Sequence, residues 1–274
     1  MSIPPFPNHP PRQYASAGQC IYCGVAEGLS DEHIIPFAMG GRWIIPNASC
    51  SNCAKATARF EGVCMRSCLG PFRMYFDFPS RRKGDRPSKI PLKVKFSPDQ
   101  DWQLFEVERD EYPFLIGLPI FDMPELLGGP LRTGRRDAAT RQIWIRSPSF
   151  GEGLEKHLAH LTRKYGFQSI FPEAEVRVPE FVLMLAKIAH SYAVAEVGLH
   201  NLIPYLSEII RNEDTSEVVS LVGGKSESEP RTGNLHDVSL ISDTNQLVVV
   251  RIRLLAHFEG VTYFVVAGRY RPTA

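Results

Sequence analysis

The chain has 274 residues, 43% of them hydrophobic and 22% charged, with a net charge of +1 at neutral pH. These proportions exclude a wholly disordered or fibrous chain, and so small a net charge names no partner for the molecule as a whole. No uninterrupted apolar run reaches about 18 residues, so no bilayer span and no membrane partner are expected.

The N-terminus carries prolines at 4, 5, 7, 10 and 11. They forbid helix and spoil ladder pairing, so residues 1–17 read as an extended, mobile arm. The segment lacks a basic patch followed by an apolar core, so it is not a secretory signal, and a cytoplasmic location is expected. Residues 18–75 form a small unit holding all six cysteines. A helix is expected from about Ser51 to Leu69. Residues 76–100 are basic and punctuated by proline, and read as a linker entering a strand.

From 101 to 274 the pattern predicts a second unit of mixed α and β. FEVERDEYPFLIGLPIF and RQIWIRS alternate like strands. EGLEKHLAHLTRKYGF has helical spacing at Leu154, Leu158 and Leu161. The longest greasy stretch, Phe181–Leu199, follows Pro179 and Glu180 as a helix start would. It is interrupted by Lys187, His190 and Glu196, and it reads as a buried core helix. NLIPYLSEIIRN reads as a shorter helix, GGKSESEPRTGN as a polar loop. NQLVVVRIRLLAHF and TYFVVAGRY read as strands joined at Glu259-Gly260.

The cysteines carry the strongest local signal. Cys20-x-x-Cys23 and Cys50-x-x-Cys53 are two knuckles whose two-residue gaps let each turn aim both sulfurs at one cation. Four thiolates in a closed tetrahedron suit a structural zinc. So small a unit has little core, and metal binding would supply much of its folding energy. Cys64 and Cys68, four residues apart, read as small apolar residues packed beneath the helix, with a second metal or redox pair as the other reading.

Between the knuckles stands Asp31-Glu32-His33-Ile34-Ile35-Pro36. A carboxylate beside a histidine can hold a hard cation while the imidazole takes a proton from water. The order Cys-x-x-Cys, Glu-His-Ile-Ile-Pro, an Asn, then Cys-x-x-Cys resembles an HNH nuclease domain of the four-cysteine type, over roughly residues 18–70. The resemblance implies a ββα-metal fold, so the fold class expected is α+β: an N-terminal ββα zinc domain followed by a mixed α/β domain. It implies a metal-dependent endonuclease hydrolysing phosphodiester bonds in DNA, with His33 as general base. Glu32 stands where the acidic ligand of a catalytic Mg2+ or Mn2+ belongs, and Asn47 matches the Asn that fixes the loop. Cys20, Cys23, Cys50 and Cys53 would hold zinc.

Two departures from that pattern stand out. The position after the last cysteine, where the family places an Asn or His ligand, is Ala54; Thr57, Glu61 and Asn52 are the possible substitutes. Asn47 also lies only three residues before Cys50. The other reading is a catalytically inactive zinc-clipped module that binds nucleic acid or protein.

Residues 1–90 carry 11 basic and 6 acidic side chains. Arg59, Arg66 and Arg73 recur every seven residues and would share a face on a continuing helix. With Arg81, Arg82 and Lys83 they suggest a surface that grips a nucleic-acid backbone; an ordinary solvated linker is the other reading. His157 and His160 share a helical face near Glu155, and a half-buried pair is expected there rather than a metal site.

Overall fold

A computed structural model describes residues 10–79, 88–113, 115–130, 141–146, 154–171, 176–216, 218–225, 229–241, 246–258 and 260–272. Arg81, Arg82, Lys83 and Glu259 lie outside them.

Past Pro11 the chain can pair, and β1 (Arg12–Gln13) runs parallel to β3 (Trp43–Cys50). The described part of the expected mobile arm is therefore docked. Arg12 also ion-pairs with Glu196 at 2.8 Å, and the Tyr14 hydroxyl donates to the same carboxylate at 2.7 Å.

β2 (Leu29–His33) pairs antiparallel with β3, and the register shifts along the hairpin. Ser30 faces Ser49, but Glu32 faces Ile45 and His33 faces Ile44, so β3 carries the extra residues of a bulge. Asn47 sits in that bulge with φ of +48°, a left-handed conformation that Asn tolerates better than most residues. Its backbone N–H donates to Asp31 Oδ1 at 3.3 Å. Beyond the bulge Asp31 faces solvent, Glu32 points inward and His33 is half-buried. The hairpin loop closes at Gly41, where a Cβ would lie 1.9 Å from the Ile35 carbonyl oxygen, so no other residue fits.

α1 (Ser51–Arg66) begins directly on Cys50 and buries Cys53, Ala56, Thr57, Phe60 and Cys64, a helical stripe. The helix expected to Leu69 ends at Arg66, because Ser67 turns away with ψ of −111°. α2 (Gly70–Tyr75) starts afresh with Pro71 in its first turn. Arg59, Arg66 and Arg73 therefore do not share one continuing helix. Arg73 turns back to donate to the carbonyls of Ala38 at 2.7 Å and Met65 at 3.0 Å.

The second half of the expected linker over 76–100 is a strand. β4 (Lys89–Lys95) pairs with β5 (Gln103–Glu108) and with β8 (Ser169–Phe171), the last reached through α3 (Leu154–Tyr165). β6 (Leu115–Ile120) and β7 (Arg141–Arg146) make a separate antiparallel ribbon.

α4 (Val178–Val197) is long and apolar enough on composition to cross a bilayer, but it lies inside the protein, packed on α1 and on the C-terminal sheet. That sheet runs β10 (Val222–Lys225), β13 (Thr262–Tyr270), β12 (Leu247–Arg253), β11 (Asp237–Ile241), with β9 (Leu202–Pro204) also on β13. The segment expected as one short helix after α4 divides into β9 and α5 (Ser207–Asn212). One hydrophobic core runs from Cys20 through α1 and α4 to Ala267, so the cysteine unit and the sheet share an interior.

Candidate functional site

The two knuckles converge. The ligand atoms of Cys20, Cys23, Cys50 and Cys53 all lie within 4.8 Å of one another, and the Cys23 and Cys50 sulfurs are 3.6 Å apart. A disulfide needs about 2.05 Å, whereas a tetrahedron with bonds of about 2.3 Å to zinc has edges of about 3.8 Å. The donor set therefore fits zinc. Among the described residues it is the one group of three or more His, Cys, Asp or Glu placed to hold a metal ion.

The electrostatics agree. Cys50 caps the N-terminus of α1, and the Cys53 backbone N–H holds its thiol down to about 7 against the opposing effect of burial. Burial pushes the Cys20 and Cys53 thiols up. Four sulfurs this close would repel one another as thiolates unless a cation lay between them. Cys64 and Cys68 are separate from this group and fully buried. The Cys68 thiol, pushed up to about 11 by burial, is a packed apolar group.

α4 clamps the clip from behind. His190, wholly buried, donates from Nε2 to the Ile21 carbonyl at 2.8 Å, inside the first knuckle. The Tyr22 hydroxyl meets Ser191 Oγ at 3.2 Å, and Trp43 of β3 stacks on Tyr192 at 5.8 Å. Burial lowers the His190 pKa to about 4, the Ile21 carbonyl opposing, so the ring is neutral. His236 holds the hairpin loop in the same manner, bonding Met39 O at 3.0 Å through Nε2.

In front of the clip, β2, α1 and α4 enclose a cleft of about 510 Å³ lined by His33, Glu32, Ala54, Glu61, Arg73 and Lys187 among others. His33 stands at the end of β2 with its ring edge-on to Phe37 at 5.6 Å. Asn47 is not in this cleft: its side-chain amide donates to Ser16 Oγ at 3.2 Å, so it shapes the hairpin through its backbone. Ala54 lines the cleft and offers no ligand. Of the three substitutes, the Thr57 hydroxyl donates to the Ala54 carbonyl at 3.2 Å, and Asn52 lies beside the cysteines instead. Glu61, two turns along α1, faces Glu32.

Between those two carboxylates is the ammonium of Lys187. It lies 2.7 Å from Glu32 Oε1 and 2.9 Å from Glu61 Oε1, and it also donates to the His33 carbonyl. It is 2% exposed. Burial drives its pKa down, but the two carboxylates more than compensate and hold it above the ordinary lysine value, so it is charged. The residues therefore do not fit a divalent cation between Glu32 and Glu61 as they stand, because a lysine fills the place.

Arg59 pairs with Glu213 and Arg66 is exposed. His157 bonds the Glu111 carbonyl at 2.7 Å and stacks near His160. Sequence reasoning missed the role of Lys187 and the α4 clamp. Their trace was the lysine and histidine that interrupt an otherwise apolar helix.

A short β-hairpin followed by a helix, with four cysteines gathered as a zinc-compatible clip, is the ββα arrangement that the sequence led one to expect. Residues 20–60 match the HNH endonuclease family, and the clip makes this segment an HNH type with a zinc-compatible cluster. No curated protein and no solved structure matches the chain.

Proposed function

We propose that the chain is a hydrolase of phosphodiester bonds in nucleic acid, with DNA as the expected substrate and His33 as the general base. The observation that supports this best is the half-buried His33 imidazole on the wall of an open cleft, within the segment that matches HNH endonucleases. An imidazole there is placed to take the proton of an attacking water. Arg73, tied to three backbone carbonyls, supplies fixed positive charge to the same cleft. Asn47 and Gly41 hold the hairpin that aims His33.

In HNH enzymes Mg2+ or Mn2+ stabilises the charge on the departing oxygen. Here its expected ligand, Glu32, is engaged by Lys187, and no step is assigned to a divalent ion. That engagement favours a second reading, a zinc-clipped module that binds nucleic acid without cutting it.

The test is plasmid nicking by the zinc-loaded protein in Mg2+, Mn2+ or EDTA, with His33→Ala beside the wild type. Removing a general base is expected to slow cleavage by about 10²–10⁴-fold. Cleavage unchanged in His33→Ala defeats the assignment of the base. Full-strength DNA binding with no cleavage under any condition selects the second reading.

A further inference from the structure

We infer that Lys187 is the resident cation of this site, a positioning residue whose ammonium stands between Glu32 and Glu61 and keeps divalent metal out. The inference deepens the nuclease reading, because it identifies what replaces the metal in a cleft of that type.

Four protein oxygens surround the ammonium. It ion-pairs with Glu32 at 2.7 Å and with Glu61 at 2.9 Å, donates to the His33 carbonyl, and has the Ile34 carbonyl at 3.4 Å. Its three N–H donors are thus buried among groups of the protein itself, with the side chain 2% exposed, so Lys187 acts through its neighbours. It neutralises one of the two facing carboxylate charges and fixes the backbone at His33, the residue whose ring meets the cleft.

The lysine is also rigidly held. One turn along α4, His190 and Ser191 are bonded to Ile21 and Tyr22 of the first knuckle. Swinging the side chain away would leave a buried cation without partners, which is costly. A hard divalent cation needs oxygens at about 2.0–2.6 Å around an open centre. Glu32 and Glu61 are the buried or half-buried acids on either side of Ala54, and the ammonium stands between them; Asp31, on the same cleft, is exposed. Removing the lysine would leave two facing carboxylates, the arrangement such a cation seeks.

The test measures Mn2+ binding to the zinc-loaded full chain by electron paramagnetic resonance of free Mn2+, without nucleic acid. Wild type is expected to bind no Mn2+ at this site. Lys187→Met is expected to gain one bound Mn2+ per chain, and Lys187→Met/Glu61→Gln to lose it again. Mn2+ bound by the wild type and lost in Glu61→Gln overturns the inference. So does a folded Lys187→Met with no gain in binding. Should Lys187→Met fold only when Mn2+ is added, the rescue itself supports the exchange of cations; if it folds under no condition, the comparison of wild type with Glu61→Gln still decides. Nicking plays no part in these measurements, so failure of the His33 assignment and failure of the Lys187 assignment are separately visible.

Discussion

Asn47 shows how one backbone angle aims a candidate catalytic group. Its left-handed φ permits the bulge, and the bulge turns Glu32 inward while His33 reaches the cleft wall. A β-branched residue there would suffer a left-handed penalty of about 1–2 kcal/mol. Asn47→Val is therefore expected to lose about that much stability in urea unfolding, whereas Asn47→Gly, free of the penalty, stays close to wild type. Equal losses in the two variants would mean that the side-chain bond to Ser16 matters and the backbone angle does not. The cysteine clip was legible in the sequence because each knuckle is local and its chemistry follows from spacing. The importance of Lys187 was not, although its presence in an apolar helix announced that buried carboxylates had to lie somewhere near. Sequence order could not say that they were Glu32 and Glu61, on elements far away in the chain.

At the scale of elements, legibility followed periodicity. α3 was readable from its apolar spacing, α4 from a long apolar stretch behind Pro179 and Glu180, and β12 and β13 from their β-branched runs. β4 was legible only as the strand that a basic, proline-punctuated linker enters, because Pro91 and its lysines blur the alternation. Among the described residues β8 pairs with Lys93–Lys95, beyond Pro91, so no described residue faces the proline on that side of β4. The break after α1 left no sequence mark, since neither proline nor glycine stands at Ser67. α4 carries its own pH dependence through His190. Its pKa falls from 6.5 to about 4 on folding, so between those values the unfolded chain binds the extra proton and stability falls as the solution is acidified. The wild type is expected to lose about 3 kcal/mol between pH 7 and pH 4 from this group alone. The measurement is a difference between two proteins: His190→Gln should show a shallower acid limb by about that amount. Parallel limbs for the two proteins would remove His190 as the cause.

For the whole molecule, the shared core decides how metal and fold are coupled. An isolated zinc knuckle unfolds without its ion. Here the hairpin is also held by β1, by the α4 clamp, and by His236 from the edge of the C-terminal sheet. Those contacts join the clip to a core that extends over α4 and the five-stranded C-terminal sheet. Stripping zinc with a chelator is therefore expected to loosen the segment from Cys20 to Cys53 while β12 and β13 keep their protection. The check is hydrogen exchange followed by mass spectrometry, before and after chelation. Fast exchange confined to the knuckles, β2 and the start of α1 fits a local role for the ion. The amides of Val248–Ile252 and Tyr263–Ala267 should exchange as slowly as before, since their partners lie in the sheet and under α4. Loss of protection throughout the sheet would mean that the chain folds only around its metal, and that the contacts of α4 with the first knuckle are a consequence of the clip and do not support it.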